Sequence, residues 1–392
     1  MKIHHLLAEA VTENIRLVFS EGKKADKVIE YSLKKNLKWG SRDRRFVAES
    51  TYEIIRHYRL LQEAAGSKNP WMLLATYLIK NNLELPEWKE FSGISSKPIK
   101  HFLQKNEIPF AVSQSIPDWM QEMGEKELGE RWEKEIDFLN QEAKVVLRTN
   151  TLKITREKLQ QRLKQNEILT FTHDEIAEAL ILQKRQQVFS SAEFKNGFFE
   201  VQDASSQRVA HFMDLQFGQR VIDACAGAGG KSLHISALLH NKGKIIAMDV
   251  EDRKLQELKK RAARAGANNI ETRLIEKNTI QRLKESADRL LLDAPCSGMG
   301  VLRRNPDSKW KLSPEKIEVI KLLQTKILNE YTSMVKPGGK LIYVTCSILP
   351  SENEMQTKKF LENNHQFELE EEKTIYPSDG FDGFYLCRMK KV

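Results

Sequence analysis

The chain has 392 residues, is 40% hydrophobic and 30% charged, and carries a formal net charge of +9. That length accommodates two or three domains. No stretch approaches the ~18 apolar residues a membrane span needs, so a membrane-embedded role is not expected, and the basic balance favours nucleic acid as a partner. With four cysteines, Cys225, Cys296, Cys346 and Cys387, and no CxxC pair, neither a disulfide framework nor a metal site is expected. The start, MKIHHLLAEAVTENIRLVF, is charged and amphipathic and lacks a signal-peptide core. A monomer in the reducing cytoplasm is the expectation.

Residues 1–138 read as a helical domain. In SRDRRFVAESTYEIIRHYRLLQEAAG, Phe46, Val47, Tyr52, Ile54, Ile55, Tyr58 and Leu61 recur at three- and four-residue spacing, the period of an amphipathic helix. Ser41 is the expected N-cap, and Asp43 falls in the first turn, where it suits the helix dipole. Strand signals are almost absent before Val145. Residues 139–201 read as a small α+β unit: KVVLRTNTLKI as a strand, REKLQQRLKQN as a helix, ALILQK and GFFEVQD as short strands. From 202 to 392 strands and helices alternate at the rhythm of βαβ units. Strands are predicted at RVIDA, KIIAMDV, IETRLI, RLLLDAP and KLIYVTC. Helices fall between them at KSLHISALLH, EDRKLQELKKRAARAG and PEKIEVIKLLQTKILNEYTSMV, and after the last at ENEMQTKKFLEN. Ser313-Pro314 is a helix start, and Ser351-x-x-Glu354 predicts a capping box.

DACAGAGGKS, Asp223 to Ser232, follows a strand and opens a helix. Its glycines allow a sharp turn and close backbone approach to a ligand, and the helix N-terminus behind them offers free N–H groups. A phosphate-binding P-loop would need glycine at Cys225, and a dinucleotide fingerprint would need glycine at Ser232, so both patterns fail here. S-adenosylmethionine remains, since its methionine moiety can approach such a loop without any phosphate. Asp249, ending the second strand, can accept hydrogen bonds from ribose hydroxyls, a contact NAD would use as well. Glu276, ending the third, can meet an adenine amino group.

Cys296 in LLLDAPCSGMG and Cys346 in KLIYVTCSILP each end a strand, and each is followed by serine. The carboxyl edge of a parallel sheet is where open α/β folds place their ligands. A thiolate is a strong nucleophile, favoured by nearby positive charge or a helix N-terminus; Lys231 and the helix after Cys346 are the candidates to stabilise it. Beside a methyl donor, a thiolate that adds to C6 of a pyrimidine makes C5 nucleophilic enough to accept a methyl group. Asp293 is placed to hydrogen-bond the N3/N4 edge of the ring, and the second thiol can remove the C5 proton or free the product. Which thiol attacks is open on chemistry alone. Cys225 and Cys387 read as small buried hydrophobes.

The segments DACAGAGGK, AMDVEDRKL, LLLDAPCSGMGVLRRNPDSKW and YVTCSILPSENE, with RTNTLKI and EVQDASSQ upstream and GFDGFYLCRMKK at the end, resemble the Fmu/Sun family of S-adenosylmethionine-dependent RNA (cytosine-5)-methyltransferases. The likeness covers roughly Lys144 to the end. The helical N-terminus resembles the RNA-binding domain of the antitermination factor NusB, an arrangement similar to the 16S rRNA branch of that family. The resemblance implies a class I methyltransferase fold, an α/β Rossmann-like seven-stranded sheet with its last strand antiparallel, and RNA, small-subunit rRNA above all, as partner. It implies Cys346 as nucleophile and Cys296 as its assistant. It places cofactor contacts on Cys225, Ala226, Gly227, Ala228, Gly229, Gly230, Lys231, Asp249, Glu276 and Asp293. Ala228 stands where the family has proline, and Glu276 where it has aspartate. Arg303, Arg304, Lys309 and Trp310 form a basic, aromatic loop expected to contact RNA. Arg148 and Asn150 match an RxN element expected to brace the fold. The rival readings are a non-catalytic RNA-binding assembly factor and a nucleotide hydrolase.

Overall fold

The computed structural model describes residues 3–105 and 107–392; Met1 and Lys2, which open the stretch read above for a leader, lie outside them. The chain divides into two compact units, Met1–Gln141 with Leu302–Pro314, and Glu142–Val301 with Glu315–Val392.

In the first unit every regular element among the described residues is helical, the longest being His5–Ser20 and Ser41–Arg56. The three- and four-residue apolar spacing becomes a core of Leu7, Val11, Ile15, Val47, Ile54, Leu61, Leu73, Leu74 and Leu78. The helix expected to be capped by Ser41 starts one residue earlier than that reading: Gly40 is the N-cap, Ser41 is the first helical residue, and Asp43 does lie in the first turn.

The second unit holds two sheets. The smaller has strands β1 (Val146–Thr149), β2 (Thr170–Thr172), β3 (Ala179–Leu182) and β4 (Phe199–Val201) in the order β2-β3-β1-β4, with every pair antiparallel. Its core is Leu147, Leu159, Leu163, Leu180 and Phe199. The larger has β5 (Arg220–Asp223), β6 (Lys244–Asp249), β7 (Ile270–Leu274), β8 (Ala287–Asp293), β9 (Val335–Thr345), β10 (Phe367–Ile375) and β11 (Phe384–Lys391). Their order is β10-β11-β9-β8-β5-β6-β7. The pairs from β9 across to β7 are parallel, whereas β11 runs antiparallel to both β9 and β10. This is the expected seven-stranded sheet with an antiparallel last strand. The central strands are uninterrupted apolar runs because both faces are covered, as parallel sheets require.

β10 and the segment after β9 differ from the sequence reading. β10 carries Glu368, Glu370, Glu371 and Glu372 and is mostly exposed along its length. It is an edge strand, where charge discourages pairing with other chains, and that composition hides it from a hydrophobicity pattern. The predicted capping box at Ser351 is not the start of a helix. A short 3₁₀ turn occupies Pro350–Glu352, and the helix runs Glu354–Asn363 with Asn353 at its N-cap. By contrast the helix Pro314–Tyr331 begins at the predicted proline.

Small and large sheet are joined by buried polar contacts. Arg148 on β1 donates to Gly230 O at 2.6 Å and to the Gln202 side chain. Asn150 donates to Gly197 O and Ala265 O, both at 2.7 Å. Glu200 on β4, 5% exposed, pairs with Arg261 at 2.9 Å and with Arg264. The RxN element therefore braces the fold, because its polar groups satisfy backbone carbonyls that burial would otherwise leave unpaired.

Candidate active site

Parallel register assembles the site. Asp223 on β5 pairs with Leu291 on β8 and Ala247 on β6, and Asp293 on β8 pairs with Val344 on β9. The ends of these four strands thus reach one edge together. β5 sits between β6 and β8, where the chain order reverses, so this edge is the switch point at which such sheets bind ligands.

The glycine loop leaves β5 here. Gly227 and Gly229 adopt φ of +54° and +85°, a region that side chains rarely occupy. Leu258 fills the space beside Gly229, whereas a Cβ on Gly227 would meet no atom within 4 Å. The loop is pinned from behind: Ala226 N–H donates to Met248 O at 2.9 Å and Arg261 donates to Ala228 O at 2.8 Å. Asp249, 7% exposed, accepts from the N–H of Gly227 and from that of Glu251, both at 2.9 Å. Its carboxylate is held in place with lone pairs to spare. Glu276 lies two residues beyond β7 and is exposed on the same edge. An open cradle over Gly227, a fixed carboxylate at the end of β6 and an acceptor after β7 fit a nucleoside carrying an amino-acid arm.

Asp293 accepts from the Lys231 ammonium at 2.5 Å. Burial alone would weaken the Lys231 ammonium, but the Asp293 carboxylate more than offsets this, and the lysine sits above its ordinary range, with Cys346 also acting on it. Lys231 is therefore a fixed positive charge close to the second strand end. Cys225 in the loop is driven upward by burial and then by Asp293, Asp223 and Asp249, so it stays a thiol. Cys387 is fully buried in the sheet core, its thiol pushed up to about 12 by burial.

The two remaining cysteines meet. Cys296 and Cys346, after neighbouring strands in register, place their sulfurs 3.3 Å apart. The Cys296 thiol is held well above its usual range, first by its hydrogen bond to Cys346 and then by burial; it keeps its proton while Cys346 is its partner. Behind the sulfurs lies a buried carboxylate. Glu352, 0% exposed, accepts from Ser347 Oγ at 2.5 Å, from Ser297 Oγ, from Ser297 N–H at 2.8 Å and from Gln324 Nε2 at 3.0 Å. Ser297 and Ser347 are the residues that follow the two cysteines, so one carboxylate ties both loops at a fixed separation. Gly300 closes the arrangement: its N–H donates to Cys346 O at 2.9 Å, and a Cβ there would stand 2.8 Å from that same oxygen. Glu352, Gln324 and Gly300 were not singled out from sequence. The only signal was the serine after each cysteine.

The loop expected to contact RNA is put to another use. It belongs to the helical unit, where Lys309 is 1% exposed and donates to Arg56 O at 2.8 Å and Asn140 Oδ1 at 2.9 Å. Burial, then Arg56, lowers its pKa well below that of a free lysine. The Trp310 indole N–H donates to Ile55 O at 3.0 Å, and its ring packs against Tyr58 and Phe19. Arg303 is 5% exposed, and its carbonyl accepts from Arg56 at 3.0 Å. A phosphate cannot reach a buried ammonium, and a base cannot stack on a ring already packed. Arg304, like Trp310, is part-exposed.

Residues 210–386 match the family model described as 16S rRNA methyltransferase RsmB/F, and residues 116–189 match that of an RsmF/B-like ferredoxin-like domain. A probable ribosomal RNA small subunit methyltransferase B of a Synechocystis species is 33% identical over 315 residues, 75% of this chain and 70% of its own. The ribosomal RNA small subunit methyltransferase B of Klebsiella pneumoniae is 30% identical over 321 residues, 77% of this chain and 73% of its own. Among solved structures, PH0851 superposes with a TM-score of 0.86 over the whole of both chains at 24% identity. A methyltransferase homologue from Pyrococcus horikoshii gives 0.65 at 26% identity over 72% of this chain and 98% of its own. NSun6 from the same organism, solved with the S-adenosylmethionine analogue SFG, gives 0.66 at 21% identity over 70% and 98%. S-adenosylmethionine is the cofactor of this fold and family, and the glycine cradle fits it.

Proposed function

Because the chain belongs to the RsmB/F family of 16S rRNA methyltransferases, we propose that it methylates C5 of a cytosine in small-subunit rRNA through a covalent bond between Cys346 and C6 of the base. The observation that carries this reading is the 3.3 Å separation of the Cys346 and Cys296 sulfurs, on the edge that also holds Asp293 and the glycine loop. The bound S-adenosylmethionine supplies an electrophilic methyl group. Loop Cys225–Lys231 and Asp249 hold it, with Glu276 at the adenine end. Asp293 meets the N3/N4 edge of the cytosine and helps the ring accept electrons.

The Cys346 sulfur, having given its proton to solvent, forms a bond to C6, and the C5=C6 pair becomes available at C5 to take the methyl group. Forming that bond removes the negative sulfur beside Cys296. The largest cause that raises the Cys296 pKa is then gone, although burial and Glu352 still act in the same direction, and Cys296 gives its proton to solvent before it serves as base. Cys296 next accepts the C5 proton. The C5–H electrons restore the C5=C6 bond, and Cys346 leaves C6 as a thiolate. The target base must be unstacked to reach the sulfurs, which favours a loop or single-stranded cytosine.

Bisulfite sequencing of total RNA from cells with and without the protein tests this. A single small-subunit rRNA cytosine that resists conversion only when the protein is present is the expected result. Full conversion in both samples, with RNA binding retained, would replace this reading with that of a non-catalytic assembly factor.

A further inference from the structure

Away from the methyl-transfer edge, Glu178, His211 and His234 bring one ligand atom each to within 4.8 Å of one another. They come from three elements of the second unit. Glu178 immediately precedes β3, His211 lies in the helix Ala204–Phe212, and His234 lies in the helix Gly230–Leu238 that grows from the glycine loop. His234 is 1% exposed, and neither its Nδ1 nor its Nε2 has a hydrogen-bond partner. A buried polar group without a partner is costly and calls for an explanation. Glu178, 6% exposed, is 2.9 Å from His211 Nε2, and the two imidazoles meet edge to face at 5.2 Å. His211 also lines an open cavity of about 280 Å³ with Arg208 and Phe212, which gives an ion a path from solvent.

We propose that Glu178, His211 and His234 bind a divalent transition-metal ion of the zinc type. Two neutral imidazoles and one carboxylate are a borderline-soft donor set suited to zinc. Ligand atoms of a tetrahedral zinc stand roughly 3.3 Å apart, so modest side-chain rotation closes the present spacing. Arg148 is the leading charge acting on His234 and acts on Glu178 after His211, while Glu200 is the leading carboxylate acting on Arg148. The ion fastens the small sheet to the helix behind the glycine loop, so it is structural, and it differs from the sequence expectation of no metal.

The test uses the full chain stripped with chelator and titrated with Zn²⁺ by calorimetry, in a Cys296→Ala, Cys346→Ala background, since that thiol pair could itself hold zinc. One tight equivalent is expected, together with a melting temperature that rises on zinc addition. His211→Ala, at a half-exposed position that should not disturb folding, and Glu178→Gln should each weaken binding at least tenfold. Co²⁺ should give a tetrahedral spectrum without sulfur charge-transfer bands. No tight equivalent, or one that His211→Ala and Glu178→Gln leave unchanged, would overturn the proposal.

Discussion

Cys346 and Cys296 are chemically alike but differ in environment, and the difference gives them different expected variants. Cys346→Ala should abolish methyl transfer. Cys296→Ala should let the protein–RNA bond form but slow its release, visible as a retarded band on a denaturing gel. The reverse pattern would exchange the two roles. Asp223 gives a second prediction at this scale. Burial raises its pKa from 3.8 to about 7, Asp293 adds to the rise, and Ser232 and Lys231 oppose it; one of its oxygens has no partner. Between pH 4 and 7 the folded protein therefore binds a proton at Asp223 that the unfolded chain releases. Stability from this group falls as pH rises through that window, by up to about 4 kcal/mol. Asp223→Asn keeps an acceptor for Ser232 and should be more stable than the parent at pH 8 but not at pH 4. Denaturant melts at the two pH values check it.

At the scale of elements, the segment Leu302–Pro314 shows how position overrides residue type. Two arginines, a lysine and a tryptophan in ten residues read as an RNA-contacting loop, yet Lys309 and Trp310 satisfy carbonyl groups of the helix Ser41–Arg56. Lys309→Met preserves the length and apolar stem of the side chain but leaves Arg56 O and Asn140 Oδ1 without their donor. It should cost about 1–3 kcal/mol and leave the salt dependence of RNA binding unchanged, because no phosphate contact is lost. Thermal melts and filter binding over a salt series separate the two effects. β10 and the Glu354 helix teach the same lesson. A glutamate-rich edge strand has no hydrophobic signature, and a serine–glutamate spacing that suits a capping box is displaced when Asn353 occupies the cap and turns its side chain to Thr345 and Ser347.

At the scale of the whole chain, the cofactor loop belongs to one compact unit and the N-terminal helices to the other. A ligand that binds only the folded state stabilises by about 2.7 kcal/mol at a hundredfold excess over its dissociation constant. S-adenosylmethionine should therefore raise the calorimetric transition assigned to residues 142–301 and 315–392 and leave the helical unit's intrinsic stability untouched. Limited proteolysis, read by which fragment becomes protected, assigns the transitions. Protection confined to the helical unit would contradict the placement of the cofactor.

The five parallel strands, the glycine loop, and the strand-end positions of Asp249, Asp293, Cys296 and Cys346 were legible in the sequence, because each is local. Apolar runs make buried strands, glycines mark positive φ, and chemistry-bearing residues fall at strand ends. What the sequence could not determine was anything requiring two distant segments to meet. The 3.3 Å sulfur pair joins residues fifty positions apart, Glu352, five residues beyond Ser347, reaches a loop 55 positions upstream, and the ammonium of Lys309 finds its acceptors more than 150 residues upstream. Burial and partnership belong to the packed molecule, and only the tertiary structure decides whether a charge faces solvent or satisfies a carbonyl in the core.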